Sequence, residues 1–169
     1  MNETVYIIGQ GLGVLGIILG FLSMQMKTRE KLLLMHLALT ACFALHYGLI
    51  GAWSGMALNI ISSIRNVTYY LLGKKGEVKP GWGILFAVVM GTVGILSWQN
   101  WYSAFVVLAL TLNSYAMSFR EPQNIRKSLL VTCPLALIYN VLVVSVGGIV
   151  LEAVNIVSAV IGIYRYRKQ

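Results

Sequence analysis

Charge is scarce in this chain: only 11% of its 169 residues are Asp, Glu, Lys or Arg, against about 25% in an ordinary globular domain. A soluble domain is therefore excluded. Five residues are acidic and two are cysteine, which fits neither a highly charged disordered chain nor a secreted disulfide framework. Catalytic signatures are lacking as well, with no paired-carboxylate motif, no zinc-protease histidine spacing and no serine elbow. The chain is not read as an enzyme, and no cofactor or metal is expected.

What the sequence has in abundance is apolar: 58% of it is hydrophobic and its mean hydropathy is +0.78. That is the composition of an integral membrane protein, with membrane lipid as its surroundings. Apolar runs broken by charged or Gly/Pro/polar clusters predict seven helices, at about 5–26, 31–49, 54–73, 82–98, 101–119, 128–146 and 149–165. The first run opens on Glu3 instead of a basic segment and outruns the core of a signal peptide, so a retained first helix is expected.

The net charge of +8 would suit nucleic acid only if the basic residues formed a patch on a soluble surface. They lie instead in alternate connections: Lys27, Arg29 and Lys31; Lys74, Lys75 and Lys79; Arg120, Arg126 and Lys127; Arg165, Arg167 and Lys168. No nucleic-acid partner is expected. The connections around 48–54, 99–103 and 146–149 have no Lys or Arg. Basic loops stay in the cytoplasm, so this alternation predicts an outside N-terminus, a cytoplasmic C-terminus and an odd number of crossings.

The two halves resemble one another. Ala57-Leu58-Asn59-Ile60-Ile61-Ser62-Ser63 aligns with Ala153-Val154-Asn155-Ile156-Val157-Ser158-Ala159 at a spacing of 96 residues. Phe21-Leu22-Ser23-Met24-Gln25 before one basic loop parallels Phe119-Arg120-Glu121-Pro122-Gln123 before another. Repeats of three helices run parallel only if one unpaired helix separates them, and the fourth helix has no counterpart. The expected plan is an all-α membrane protein of 3+1+3 helices: repeat 1–73, loop and linker helix 74–98, repeat 99–169.

The stretch from Gln10-Gly11-Leu12-Gly13 to Asn59-Ile60-Ile61-Ser62-Ser63-Ile64-Arg65-Asn66 resembles the YgjV-type bacterial inner-membrane proteins, and the similarity runs from about residue 6 to the end. That resemblance implies a multi-pass protein of the bacterial inner membrane and implies no activity. More distantly, the 3+1+3 plan, Pro122-Gln123 and the third-helix asparagines are similar to the SWEET and PQ-loop sugar-transporter superfamily. The second resemblance implies that Asn59 and Asn155 contact a central solute and that Pro122 and Gln123 form a hinge. The first repeat departs from it, with Met24-Gln25 where Pro-Gln would stand.

Read on their own chemistry, Asn59 and Asn155 offer amide donors and an acceptor that suit the hydroxyls of a neutral polyol, and lipid would leave those groups unsatisfied. Asn59, Ser62, Ser63 and Asn66 form one polar stripe at helical spacing. Each of these residues serves either a solute or interhelical packing. Ser158 is the repeat partner of Ser62. Arg65 lies about 12 Å inside the helix end, and either snorkels to the interface or lines the cytoplasmic half of a cavity. His46 and Asn140 are candidates for an outer entrance. Asn113 and Ser114 are further cavity candidates.

His36 and His46, ten residues apart, point too differently to share a metal. Glu152 is expected as a solvated rim carboxylate, which leaves no acidic coupling site inside the membrane. Gly9, Gly13, Gly16 and Gly20 give small-residue spacing for close helix contact, although Gly11, Gly13 and Gly16 also fit a dinucleotide pattern that no strand precedes. Cys42 and Cys133 are expected as buried structural thiols, and Trp53, Trp82, Trp98 and Trp101 as interfacial belts. The function expected is passive carriage of a small neutral polar solute, a sugar or polyol, by alternating access. The alternative is a non-transporting accessory or assembly protein, and a homo-oligomer is left open.

Overall fold

A computed structural model describes residues 3–49, 53–76, 78–98, 100–142 and 146–167. The expected connections around 48–54, 99–103 and 146–149 fall partly outside these residues, as do Lys168 and the side chains of Glu3, Gln10 and Trp53. Among the described residues there are seven helices and no strand: α1 (Glu3–Met24), α2 (Arg29–Leu49), α3 (Trp53–Lys74), α4 (Pro80–Leu96), α5 (Ser103–Ala116), α6 (Pro122–Leu142) and α7 (Val146–Arg165). Each predicted apolar run is one helix.

The largest displacement is at α6, which starts at Pro122 where the apolar pattern begins near 128. Proline at the first helical position has the right φ and no N–H to waste. Gln123, Arg126 and Lys127 therefore belong to the helix, and hydrophobic patterning misassigns them because Arg126, only 1% exposed, is a core residue here. Pro80 opens α4 in the same way.

Four of the helices contain a stretch long and apolar enough to cross a bilayer: Ile7–Met24, Arg29–Leu49, Pro122–Leu142 and Gly147–Arg165. The polar stripe of α3 lowers its hydropathy, and α4 and α5 are shorter apolar helices. Large apolar side chains point outward, including Val14, Ile18, Leu71, Val88 and Val157. The polar residues Ser62, Arg65, Asn66, Ser114 and Ser158 are buried. This inside-out distribution is that of a chain solvated by lipid.

Consecutive helices pack on each other from α1 to α3 and from α4 to α7, while α3 barely touches α4 and α1 closes against α7. The contact of α1 with α2 depends on its glycines. Gly9, Gly13, Gly16 and Gly20 are all buried. A Cβ on Gly13 would come within 3.2 Å of the His46 ring, and one on Gly16 within 2.8 Å of Phe43. The packing role expected of this stripe holds, since the run lies inside a helix with no strand before it. In α4, Gly91 and Gly94 admit Thr111 and Val107 of α5, and Gly83 admits Ser118 just past its end, in the same manner.

Candidate functional site

At the end where the basic residues gather, two arginines terminate helices that are not their own. The last carbonyls of a helix have no intrahelical partner and need donors from elsewhere. Arg29, the first residue of α2, donates from Nε to the Phe119 carbonyl (2.6 Å) and from Nη2 to those of Met117 (3.2 Å) and Ser118 (3.4 Å), just past α5. Its Nη1 reaches the Tyr69 carbonyl of α3 at 3.2 Å. Arg126 near the start of α6 does the same for α1, donating from Nε to the Met24 carbonyl (2.8 Å) and from Nη2 to that of Met26. The two arginines are 97 residues apart, close to the 96-residue spacing of the asparagine repeat. Sequence reading assigns them to loops, and the matched spacing is the signal that would have found them.

The expected hinge residues join this seal. Gln25, just after α1, donates through Nε2 to the Ser158 carbonyl (2.8 Å) and hydroxyl (2.9 Å), and Ser158 donates to the Phe21 carbonyl (2.6 Å). Gln123 donates to the carbonyls of Tyr166 (2.7 Å) and Ile163 (3.3 Å) at the end of α7 and accepts from Arg126 (3.1 Å). Arg126 lies 4.8 Å over the Tyr166 ring. Gln25 follows its helix whereas Pro122 and Gln123 open theirs, so the three do not occupy matching places.

The inward face of α3 is Ser62, Arg65, Asn66 and Tyr69, all buried. Asn59 and Ser63, expected on the same stripe, are half-buried, and Ser63 is paired with Thr40 of α2 at 2.8 Å. Arg65 does not snorkel. It is 2% exposed and donates to Ser114 of α5 (2.7 Å) and to Oδ1 of its neighbour Asn66 (3.2 and 3.3 Å). Tyr69 donates to the Ser114 carbonyl at 3.1 Å, so α3 is tied to α5 by polar contacts as α1 is to α7.

Between α2, α5, α6 and α7 lies a cavity of about 70 Å³ whose polar lining is His36, Asn113, Thr132, Cys133, Glu152 and Asn155. At about 30 Å³ per water it holds roughly two. Three of its atoms, His36 Nδ1, Asn113 Oδ1 and Thr132 Oγ1, are buried without a hydrogen-bond partner among the described residues. Glu152 is part of this wall, together with Cys133 and Asn155. The expectation of a solvated rim carboxylate is thereby corrected: Glu152 lies one turn before Asn155 on the inward face of α7, and depth along the chain does not report facing. The expectation that the interior has no acidic group falls with it.

The remaining candidates are separate from the cavity. Asn59 does not line it, so of the repeated asparagines only Asn155 does. His46 pairs through Nδ1 with the Gly9 carbonyl at 2.7 Å and lines a mostly apolar cavity of about 430 Å³ between α1, α2 and α7. Asn140 packs against Gly148 at the α6 and α7 contact.

The profile of the YgjV family, described as bacterial inner membrane protein, matches residues 7–169. This chain belongs to that family. As a YgjV-family protein it is a bacterial inner membrane protein, in agreement with the apolar helices and lipid-facing exterior. No curated protein and no solved structure gives a significant match.

Proposed function

We propose that this YgjV-family protein is a small carrier in which two three-helix units, α1–α3 and α5–α7, rock about the central cavity, with α4 as the linker. The observation that carries the reading is the cavity itself: buried polar atoms without partners, set between helices in a lipid-solvated protein, are costly unless something polar visits them. The reciprocal arginines support the two-unit plan, since Arg29 is to the end of α5 what Arg126 is to the end of α1. The alternating basic connections support seven crossings with the N-terminus outside.

The solute is small and polar. A site of about 70 Å³ is well below the roughly 300 Å³ at which pockets begin to enclose drug-sized ligands. A sugar or polyol therefore requires a more open conformation than this one. Asn155 is the contact residue, and Asn59 serves packing.

Exchange of labelled polyols, sugars and amino acids across proteoliposomes tests the proposal. Asn155→Ala is expected to cut specific flux about tenfold or more, the loss of one well-made polar contact. Asn59→Ala is expected to leave flux within about threefold. Equal losses would remove the cavity as the site. No flux for any solute, with folded protein, would favour the non-transporting accessory reading.

A further inference from the structure

The central cavity has one acid and no lysine or arginine in its lining. We propose that it is a binding site for one water-sized monovalent cation, with Glu152 as the charged ligand. The inference deepens the carrier reading by giving its cavity an ion, and it rests on that reading only for its use in transport.

Size, charge and donor set agree. About 70 Å³ admits a water-sized ion with a water and excludes a bulky organic cation. An ionised carboxylate in a membrane interior is costly unless a cation lies beside it. The polar companions of Glu152 in the lining, His36, Asn113, Thr132, Cys133 and Asn155, include no Lys or Arg. The guanidinium of Arg65 is not in the lining and is hydrogen-bonded to Ser114 and Asn66, although its charge is felt at His36, so Glu152, Asn113 and Thr132 form the side of the cavity that a cation would take. Asn113 Oδ1, Thr132 Oγ1 and His36 Nδ1 can each accept, and all three lack a hydrogen-bond partner among the described residues. Thr132 is only 4% exposed, so its hydroxyl has no solvent to turn to. Among the described residues no group of three or more His, Cys, Asp or Glu could hold a metal ion. One formal charge with neutral acceptors suits an alkali ion or ammonium, not a transition metal.

Thermal unfolding of the purified protein in detergent, in sodium, potassium, ammonium or choline chloride at equal ionic strength, provides the test. Choline is too large for the cavity and serves as the reference. A cation that fits is expected to raise the melting temperature by about 5 °C at saturation. Glu152→Gln is expected to abolish that rise. Thr132→Val is the second variant. It removes an unpartnered buried hydroxyl at nearly constant shape, so the protein in choline is expected to be at least as stable as the parent, while the response to the cation weakens by about tenfold in half-saturating concentration.

Identical melting in all four salts would overturn the proposal. So would a rise that persists in Glu152→Gln, or a Thr132→Val protein with an unchanged cation response. Failure of the carrier reading looks different: cation-dependent stabilisation would remain while no solute crosses the vesicle membrane.

Discussion

Arg126→Ala is expected to lower the melting temperature of the detergent-solubilised protein by about 10 °C. The substitution strips the Met24 and Met26 carbonyls and the Gln123 side chain of their donor at once. A hydrogen bond to a charged group contributes about 1.5–3 kcal/mol, and a buried acceptor left bare adds its own desolvation penalty. A total of about 3–5 kcal/mol follows, the size reserved for broken buried networks. At about 2–4 °C per kcal/mol for a chain of this length, the shift is of that order. Arg126→Lys is not expected to restore it, because an ammonium is a compact point donor and cannot span three acceptors as the guanidinium fork does. A shift under about 3 °C for Arg126→Ala would show that the α1 carbonyls find other partners and that the arginine is peripheral.

The second large effect comes from adding a single methyl group. Gly162 of α7 is buried beneath this clamp, and a Cβ there would lie 2.5 Å from the Met24 carbonyl oxygen and 2.8 Å from Arg126 Nε. Neither atom can retreat cheaply, since one is backbone and the other is held by its hydrogen bonds. Gly162→Ala is expected to destabilise by about 2–3 kcal/mol, the usual cost of overpacking. Gly11→Ala is the control. Gly11 is exposed on α1, with nothing within 4 Å of the place a methyl group would take, and alanine is the better helix former by up to about 1 kcal/mol. Opposite signs for the two variants are expected in the same unfolding assay. Equal effects would mean that α7 does not approach α1 as closely as this geometry requires.

The helices were legible because lipid demands long apolar runs, and each of the seven runs contains one. The glycine spacing in α1 is legible for the same reason, as a periodic signal. Facing was harder to read. The polar pattern of α3 points to Asn59 and Ser63 beside Ser62 and Asn66, whereas the buried face has Arg65 and Tyr69 in their place. In a chain without a water-facing side, hydropathy does not say which polar residue looks inward. Glu152 reads as a rim carboxylate for this reason. The cavity joins α2, α5, α6 and α7 through residues far apart in sequence, and no local pattern predicts that His36 and Thr132 share a wall. A cation beside an apolar run reads as a loop residue, whereas α2 and α6 begin early enough to include Arg29 and Arg126.

The crossed clamps also bear on biogenesis. Arg126 is made 102 residues after the Met24 carbonyl it caps. At about 5–20 residues per second of synthesis, the end of α1 waits about 5–20 s in or beside the membrane with those acceptors open. The first three helices thus leave the ribosome as an unfinished half that a late segment must complete. A chain stalled before α6 would leave the end of α1 without the donor that completes it.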